Sequence, residues 1–325
     1  MILTLPRITR TPARPGPGPT PPSLLRALDL SVRRRIDGLL PGEHHAATTG
    51  IGTELAQLRP YVPGDDVRRI DWNVTARTRI PHVRVHVAER AVVTWLLLDT
   101  SPSMAFGTAD RRKADVAEGV ALAMGYLATR RGNRLGIATF GDATPVTLPP
   151  GAGVRCRQAL WAVLRRLAGD LGPEGTGATS LGEALARIDR LARRRGVMVI
   201  VSDFRGPHDW RRPLLRLAGR HEVIAVEVRD PREGELPDIG EVCFVDPETG
   251  RQLRVDTSNA RLRQRFAAAA ATERAQVARE LRAASAGHVV LSTSGDWLRV
   301  LAIFLRLREA RRLPEARQGV RPGGS

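Results

Sequence analysis

The amino-acid sequence predicts an α/β fold: a doubly wound, mostly parallel sheet with a small N-terminal appendage and a β-hairpin insertion. Three observations point there. From residue 92 onward, strand-like and helix-like segments alternate, the pattern of parallel strands joined by crossover helices. The runs Val92-Val93-Thr94-Trp95-Leu96-Leu97-Leu98 and Val197-Met198-Val199-Ile200-Val201 are almost continuously apolar, which suits strands covered on both faces. Each run leads into a carboxylate with hydroxyls beside it, Asp99 and Asp203, and open α/β sheets gather ligands at the carboxyl ends of their strands.

The elements follow in chain order. Residues 1–22 hold the Pro- and Gly-rich stretch Thr11 to Pro22, short of donors and apolar side chains, and are expected to be a disordered arm. From Ser23 to Leu40 the spacing of Leu24, Leu25, Leu28, Val32, Ile36 and Leu39 predicts a helix ending near Gly42. It opens an appendage over residues 23–91, which closes with the alternating strand candidate 81–87. The main domain is assigned to 92–312, with strands at 92–99, 134–140, 144–148, 197–202, 222–228 and 288–292. Its helices are expected at 111–131, 153–168, 180–195, 208–219, 258–285 and 295–312. Two short β-like runs, 242–245 and 252–255, flank Pro247-Glu248-Thr249-Gly250 and predict the hairpin. Residues 313–325 are expected to be a disordered tail.

With 325 residues and 42% hydrophobic content, the chain can fill a sizeable core. Its longest apolar runs, Val92 to Leu98 and Val300 to Leu305, have seven and six residues, against ~18 for a membrane span. Met1 to Pro6 is too short for a secretory signal, so no transmembrane segment and a cytoplasmic location are expected. The net charge of +17 raises the question of nucleic acid. Much of it sits at the ends, since residues 1–37 and 299–325 each hold seven arginines and two acids. No base-reading module accompanies it, so no specific nucleic acid is expected, and salt-dependent nucleic-acid binding by the arginine-rich ends is the lowest-ranked alternative. Lys113 is the single lysine beside 50 arginines, read as compositional bias. Cys156 and Cys243 lack partners at metal-ligand spacing and read as reduced thiols. Nor do the seven histidines form a zinc or catalytic spacing.

The loops carry the chemistry. After the strand at 92–99 comes Asp99-Thr100-Ser101-Pro102-Ser103; Gly175-Thr176-Gly177-Ala178-Thr179-Ser180 precedes a helix; and Asp203 ends the strand at 197–202. Hydroxyl and carboxylate oxygens of this kind suit a hard divalent cation that keeps several waters. An alternative has Ser103 and Thr179 capping helices and both aspartates fixing turns. The ordered set resembles the metal-ion-dependent adhesion site of the von Willebrand factor A fold, with its Asp-x-Ser-x-Ser, Thr and strand-end Asp. By position, the resemblance implies Ser101, Ser103 and Thr179 as direct ligands of Mg²⁺ or Mn²⁺, with Asp99 and Asp203 acting mainly through bound water.

In the appendage, Arg59-Pro60-Tyr61-Val62-Pro63-Gly64-Asp65-Asp66-Val67-Arg68-Arg69-Ile70-Asp71-Trp72-Asn73-Val74-Thr75-Ala76-Arg77 resembles the signature of the bacterial domain of unknown function 58 family, whose members join it to an A-type domain. Tyr61, Gly64, Asp65, Asp66, Arg69, Asp71, Trp72 and Arg77 are the signature residues, for structure or for partner contact. An Asp/Arg ion-pair network is expected, with Tyr61 and Trp72 supplying apolar area. Together these readings imply a noncatalytic interaction module that grips a partner's acidic group through the cation. The family resemblance implies that this partner is a MoxR-type AAA+ ATPase. No small-molecule substrate is expected. The rival is a metal-dependent hydrolase at the same rim, for which Asp142 and Glu183 are candidate bases.

Overall fold

The computed structural model of the chain describes residues 55–63, 65–86, 92–129, 132–142, 144–169, 180–245 and 251–312. The arm, the helix expected at 23–40, the hairpin turn and the tail lie outside these residues. Two compact units separate between residues 91 and 92.

In the smaller unit, β1 (Leu55–Pro60) and β2 (His82–His86) pair antiparallel around a short helix, α1 (Trp72–Thr78). The signature aspartates act on the backbone. Asp65 accepts from Val62 N at 2.9 Å, Asp66 from Arg68 N at 3.0 Å, and the buried Asp71 caps α1 by accepting from Asn73 N and Val74 N at 3.0 and 3.2 Å. Trp72, expected with Tyr61 to supply apolar area to this unit, is instead 69% exposed. Asp71 is the buried N-cap, and the short helix that begins at Trp72 buries none of its own residues. Tyr61 is half-buried and Arg77 exposed; Gly64 and the Arg69 side chain lie outside the described residues.

The larger unit holds β3 (Val93–Asp99), α2 (Lys113–Ala128), β4 (Arg134–Phe140), β5 (Thr147–Ala152), α3 (Gly153–Gly169) and α4 (Leu181–Leu191). It continues with β6 (Val197–Ser202), α5 (Arg211–Arg220), β7 (Glu222–Arg229), β8 (Glu241–Val245), β9 (Gln252–Asp256), α6 (Ala260–Ala283), β10 (Gly287–Ser292) and α7 (Trp297–Arg312). Six strands form one sheet in the order β10-β7-β6-β3-β4-β5, parallel except for the β4–β5 edge, while β8 and β9 form the separate hairpin. The fold is therefore the doubly wound, mostly parallel sheet that the sequence predicts. Among the described residues, no helix is long and apolar enough to cross a membrane.

Strand alternation feeds two cores. Leu96, Leu98, Val199 and Val201 pack beneath α2, α3 and α7, whereas Trp95, Leu97, Met198 and Ile200 pack against α4, α5 and α6. Both faces are thus covered, and that is why these strands read as unbroken apolar runs. The strand expected at 144–148 lies instead at 147–152. Pro149 and Pro150 look like a strand stop, but an irregular antiparallel edge tolerates prolines that cannot donate to a ladder.

Chain direction produces the crevice. From β3 the chain moves outward through α2 to β4, then returns to place β6 on the other side of β3 and continues outward through α5 on the opposite face. The carboxyl ends of β3 and β6 therefore flank the switch point of the sheet.

Gly119 on α2 lets the Trp297 ring close the first core, since a Cβ there would lie 2.4 Å from a ring carbon. Gly119→Ala is expected to lower stability by about 1–3 kcal/mol in urea denaturation through overpacking. Unchanged stability would show that the α2–α7 contact has slack.

Candidate functional site

The end of β3 turns sharply into the loop that carries the serines. Thr100 ties that turn to β4, its N and Oγ both donating to Phe140 O at 2.8 Å. Gly141 follows with φ +84°, and a Cβ there would approach Ser101 N to 2.7 Å and Asp99 Oδ1 to 2.9 Å. Only glycine lets the two loops approach this closely with that backbone. Beyond the serines, Asp230 at the end of β7 fastens the loop. It accepts from Thr108 N at 2.8 Å, Thr108 Oγ at 2.6 Å and Thr293 Oγ at 2.7 Å.

Four of the five expected metal-site residues come together on this rim. Asp99 Oδ1 accepts from Ser101 Oγ at 2.6 Å and Ser101 N at 2.9 Å, and Asp99 Oδ2 accepts from Ser202 Oγ at 2.5 Å. Ser101 Oγ lies 3.0 Å from Ser103 Oγ, which donates to Asp203 Oδ2 at 2.8 Å. Asp203 Oδ1 accepts from Arg205 N at 3.0 Å. Thr179, the fifth, lies outside the described residues, and its neighbour Ser180 caps α4 by accepting from Glu183 N at 3.1 Å. Both aspartates do fix turns, as the alternative reading has it. Each also reaches a rim hydroxyl, so turn and rim share the same side chains.

Lys113, which composition alone had made look incidental, completes the cluster. It is the first residue of α2, its side chain is 1% exposed, and Nζ lies 2.6 Å from both Asp203 Oδ2 and Glu233 Oε1. The available signal was its uniqueness: in a chain with 50 arginines, the one lysine falls at the start of the helix that follows the serine loop. Ser202 and Asp230 also went unread, although Asp230 ends a third parallel strand much as Asp99 and Asp203 end theirs.

The two carboxylates differ electrostatically. Burial, reinforced by the charge of Asp203, pushes Asp99 up to about 7. Burial also opposes ionisation of Asp203, but the Lys113 ammonium outweighs it and holds that carboxyl below the ordinary range. Asp99 is therefore the carboxylate that still calls for positive charge.

The donors fit a divalent cation. A hydroxyl has one proton, so when Ser101 and Ser103 each donate to a carboxylate, their oxygens face one another with lone pairs. Their 3.0 Å separation matches adjacent corners of an octahedral Mg²⁺ shell, roughly 2.9 Å for metal–oxygen bonds of ~2.0–2.1 Å. With their described oxygens taken up by neighbouring donors, Asp99 and Asp203 suit a supporting role. Of the candidate bases, Glu183 accepts from Ser180 N at 3.4 Å at the start of α4, and Asp142 accepts from Thr144 N at 3.4 Å.

The sequence matches the family model described as protein of unknown function DUF58 over residues 57–276. An uncharacterized protein of Mycobacterium tuberculosis (strain H37Rv) is 44% identical over 287 residues, covering 87% of this chain and 88% of that protein. Among solved structures, the conserved hypothetical protein BatB from Bacteroides thetaiotaomicron is similar at 14% identity and TM-score 0.41, covering 68% of this chain and 100% of that one. The von Willebrand A domain of SpRpn10 is similar at 16% identity and TM-score 0.35, covering 67% and 95%.

Asp99 also sets a pH dependence. Its folded pKa of about 7 exceeds the ordinary 3.8, so the folded state holds this proton more tightly than the unfolded chain. The resulting destabilisation is absent at low pH, grows above the unfolded pKa and is complete above about 7. In chelator, the stability of Asp99→Asn relative to wild type is expected to rise by about 2 kcal/mol between pH 5.5 and 8 in urea denaturation. A difference independent of pH would mean that Asp99 is not destabilised by its charge.

Proposed function

The chain belongs to the DUF58 family, and from this premise we propose that its rim binds Mg²⁺ or Mn²⁺ and through the cation docks an acidic group of a partner protein. One observation carries the reading. Two serine oxygens 3.0 Å apart, Ser101 and Ser103, are each backed by a different buried carboxylate at the switch point of the sheet. Ser101 and Ser103 would hold the ion directly, with Thr179 the third hydroxyl by position; Asp99 and Asp203 orient the hydroxyls and balance charge. When bound, the cation would supply a Lewis-acidic centre able to accept an external oxygen ligand.

The chemistry favours docking over hydrolysis. Neutral direct ligands leave the ion strongly electropositive, so a partner's Asp or Glu would add a charge-assisted contact. Glu183 is held in a helix cap, which supports no role for it as base to a bound water. We take the partner to be a MoxR-type AAA+ ATPase, with this protein as its adaptor, a reading that rests on the family resemblance. The exposed Trp72 of the smaller unit offers that partner an apolar contact.

Calorimetric titration with Mn²⁺ is expected to give a saturable heat in wild type and at least about tenfold weaker binding in Asp99→Ala, which loses the charge behind Ser101. Equal isotherms would remove the metal from the account. Capture of the ATPase by immobilised protein should fall sharply when chelator is added; capture that ignores chelator would separate docking from the cation.

A further inference from the structure

Lys113 stands out among the buried groups of the larger unit. Its ammonium is enclosed between Asp203 and Glu233, whose side chains are 2% and 9% exposed, and lies 6.0 Å from the centroid of the Phe106 ring. Glu233 is fixed in turn, because its other oxygen accepts from Asp230 N at 3.1 Å. The compact ammonium aims separate N–H donors at two carboxylates from one nitrogen, 2.6 Å from each. A chain that otherwise uses arginine throughout places its only lysine here.

The ammonium is also close to the serine pair. Asp203 Oδ2 takes Lys113 Nζ at 2.6 Å and Ser103 Oγ at 2.8 Å, so a full positive charge sits within roughly 5.4 Å of a hydroxyl that would hold the cation. At that range in a partly buried site, it opposes a second positive charge and uses up one of the two carboxylates that would attract it. Glu233 sets how strongly, by drawing part of the ammonium's interaction away from Asp203.

We propose that Lys113 is a built-in countercharge that limits the affinity of the rim for divalent cations, and that Glu233 tunes this limit. The inference rests on the cation-binding reading of the rim. Opposite substitutions then have opposite effects. Lys113→Met removes the competing charge and frees Asp203 to act toward the metal. Glu233→Gln keeps the ammonium but leaves Asp203 as its sole carboxylate partner at this site, which strengthens the competition.

The test is titration of the full chain with Mn²⁺ alone at pH 7.5, following the solution Mn²⁺ paramagnetic resonance signal, with thermal unfolding in chelator and in Mn²⁺ alongside. Lys113→Met is expected to bind Mn²⁺ at least about tenfold tighter than wild type and to gain more in unfolding temperature from the metal. Glu233→Gln is expected to bind about threefold or more weaker, and this arm stands even if Lys113→Met fails to fold. Wild-type binding that Lys113→Met leaves unchanged or weakens, or that Glu233→Gln strengthens, would overturn the countercharge while leaving the metal site standing. Absence of binding in every protein would overturn both.

Discussion

Two carboxylates at the ends of adjacent parallel strands, joined through a relay of hydroxyls and served by a single internal ammonium, form the constraint on which the rest of the structure depends. Burial makes ionisation of both expensive. Lys113 resolves the problem for Asp203 and leaves it unresolved for Asp99, which is pushed up to about 7. The surrounding architecture serves to hold that imbalance in place. Thr100 and Gly141 fix the turn after β3, Asp230 anchors the far end of the serine loop through Thr108, and Ser202 buttresses Asp99 from β6. These contacts hold in place a buried carboxylate whose ionisation the fold disfavours.

The switch point explains why these groups meet at all. Residues 99 and 203 are far apart in sequence, but parallel pairing of β3 with β6 sets Leu98 beside Val201. The side chains that follow are thereby delivered to one edge. Helices on opposite faces open the crevice, and two apolar cores keep the strands from shifting register, since a one-residue slip would exchange the Leu96 face with the Leu97 face.

Much of this was legible in the sequence, and the reasons are specific. Strands buried on both faces announce themselves by length and composition, so β3 and β6 could be placed closely, and the carboxylates at their ends drew attention to Asp99, Ser101, Ser103 and Asp203. What escaped depended on tertiary contact. Lys113 has no local pattern, because its meaning comes from Asp203, 90 residues away, and Glu233, 120 residues away. Ser202 looked like the last residue of a strand. In the smaller unit, the charge pattern does not reveal that Asp65, Asp66 and Asp71 also cap backbone amides, or that Trp72 turns outward.

The direct test of the central claim is diffraction from crystals grown in Mn²⁺, with data collected at the manganese absorption edge. The account predicts one anomalous peak at the carboxyl ends of β3 and β6, within about 2.2 Å of both Ser101 Oγ and Ser103 Oγ, with Asp99 and Asp203 reached through the hydroxyls or water. A fully ordered rim without that peak, or a peak coordinated elsewhere while the serines keep their contacts with Asp99 and Asp203, would contradict it.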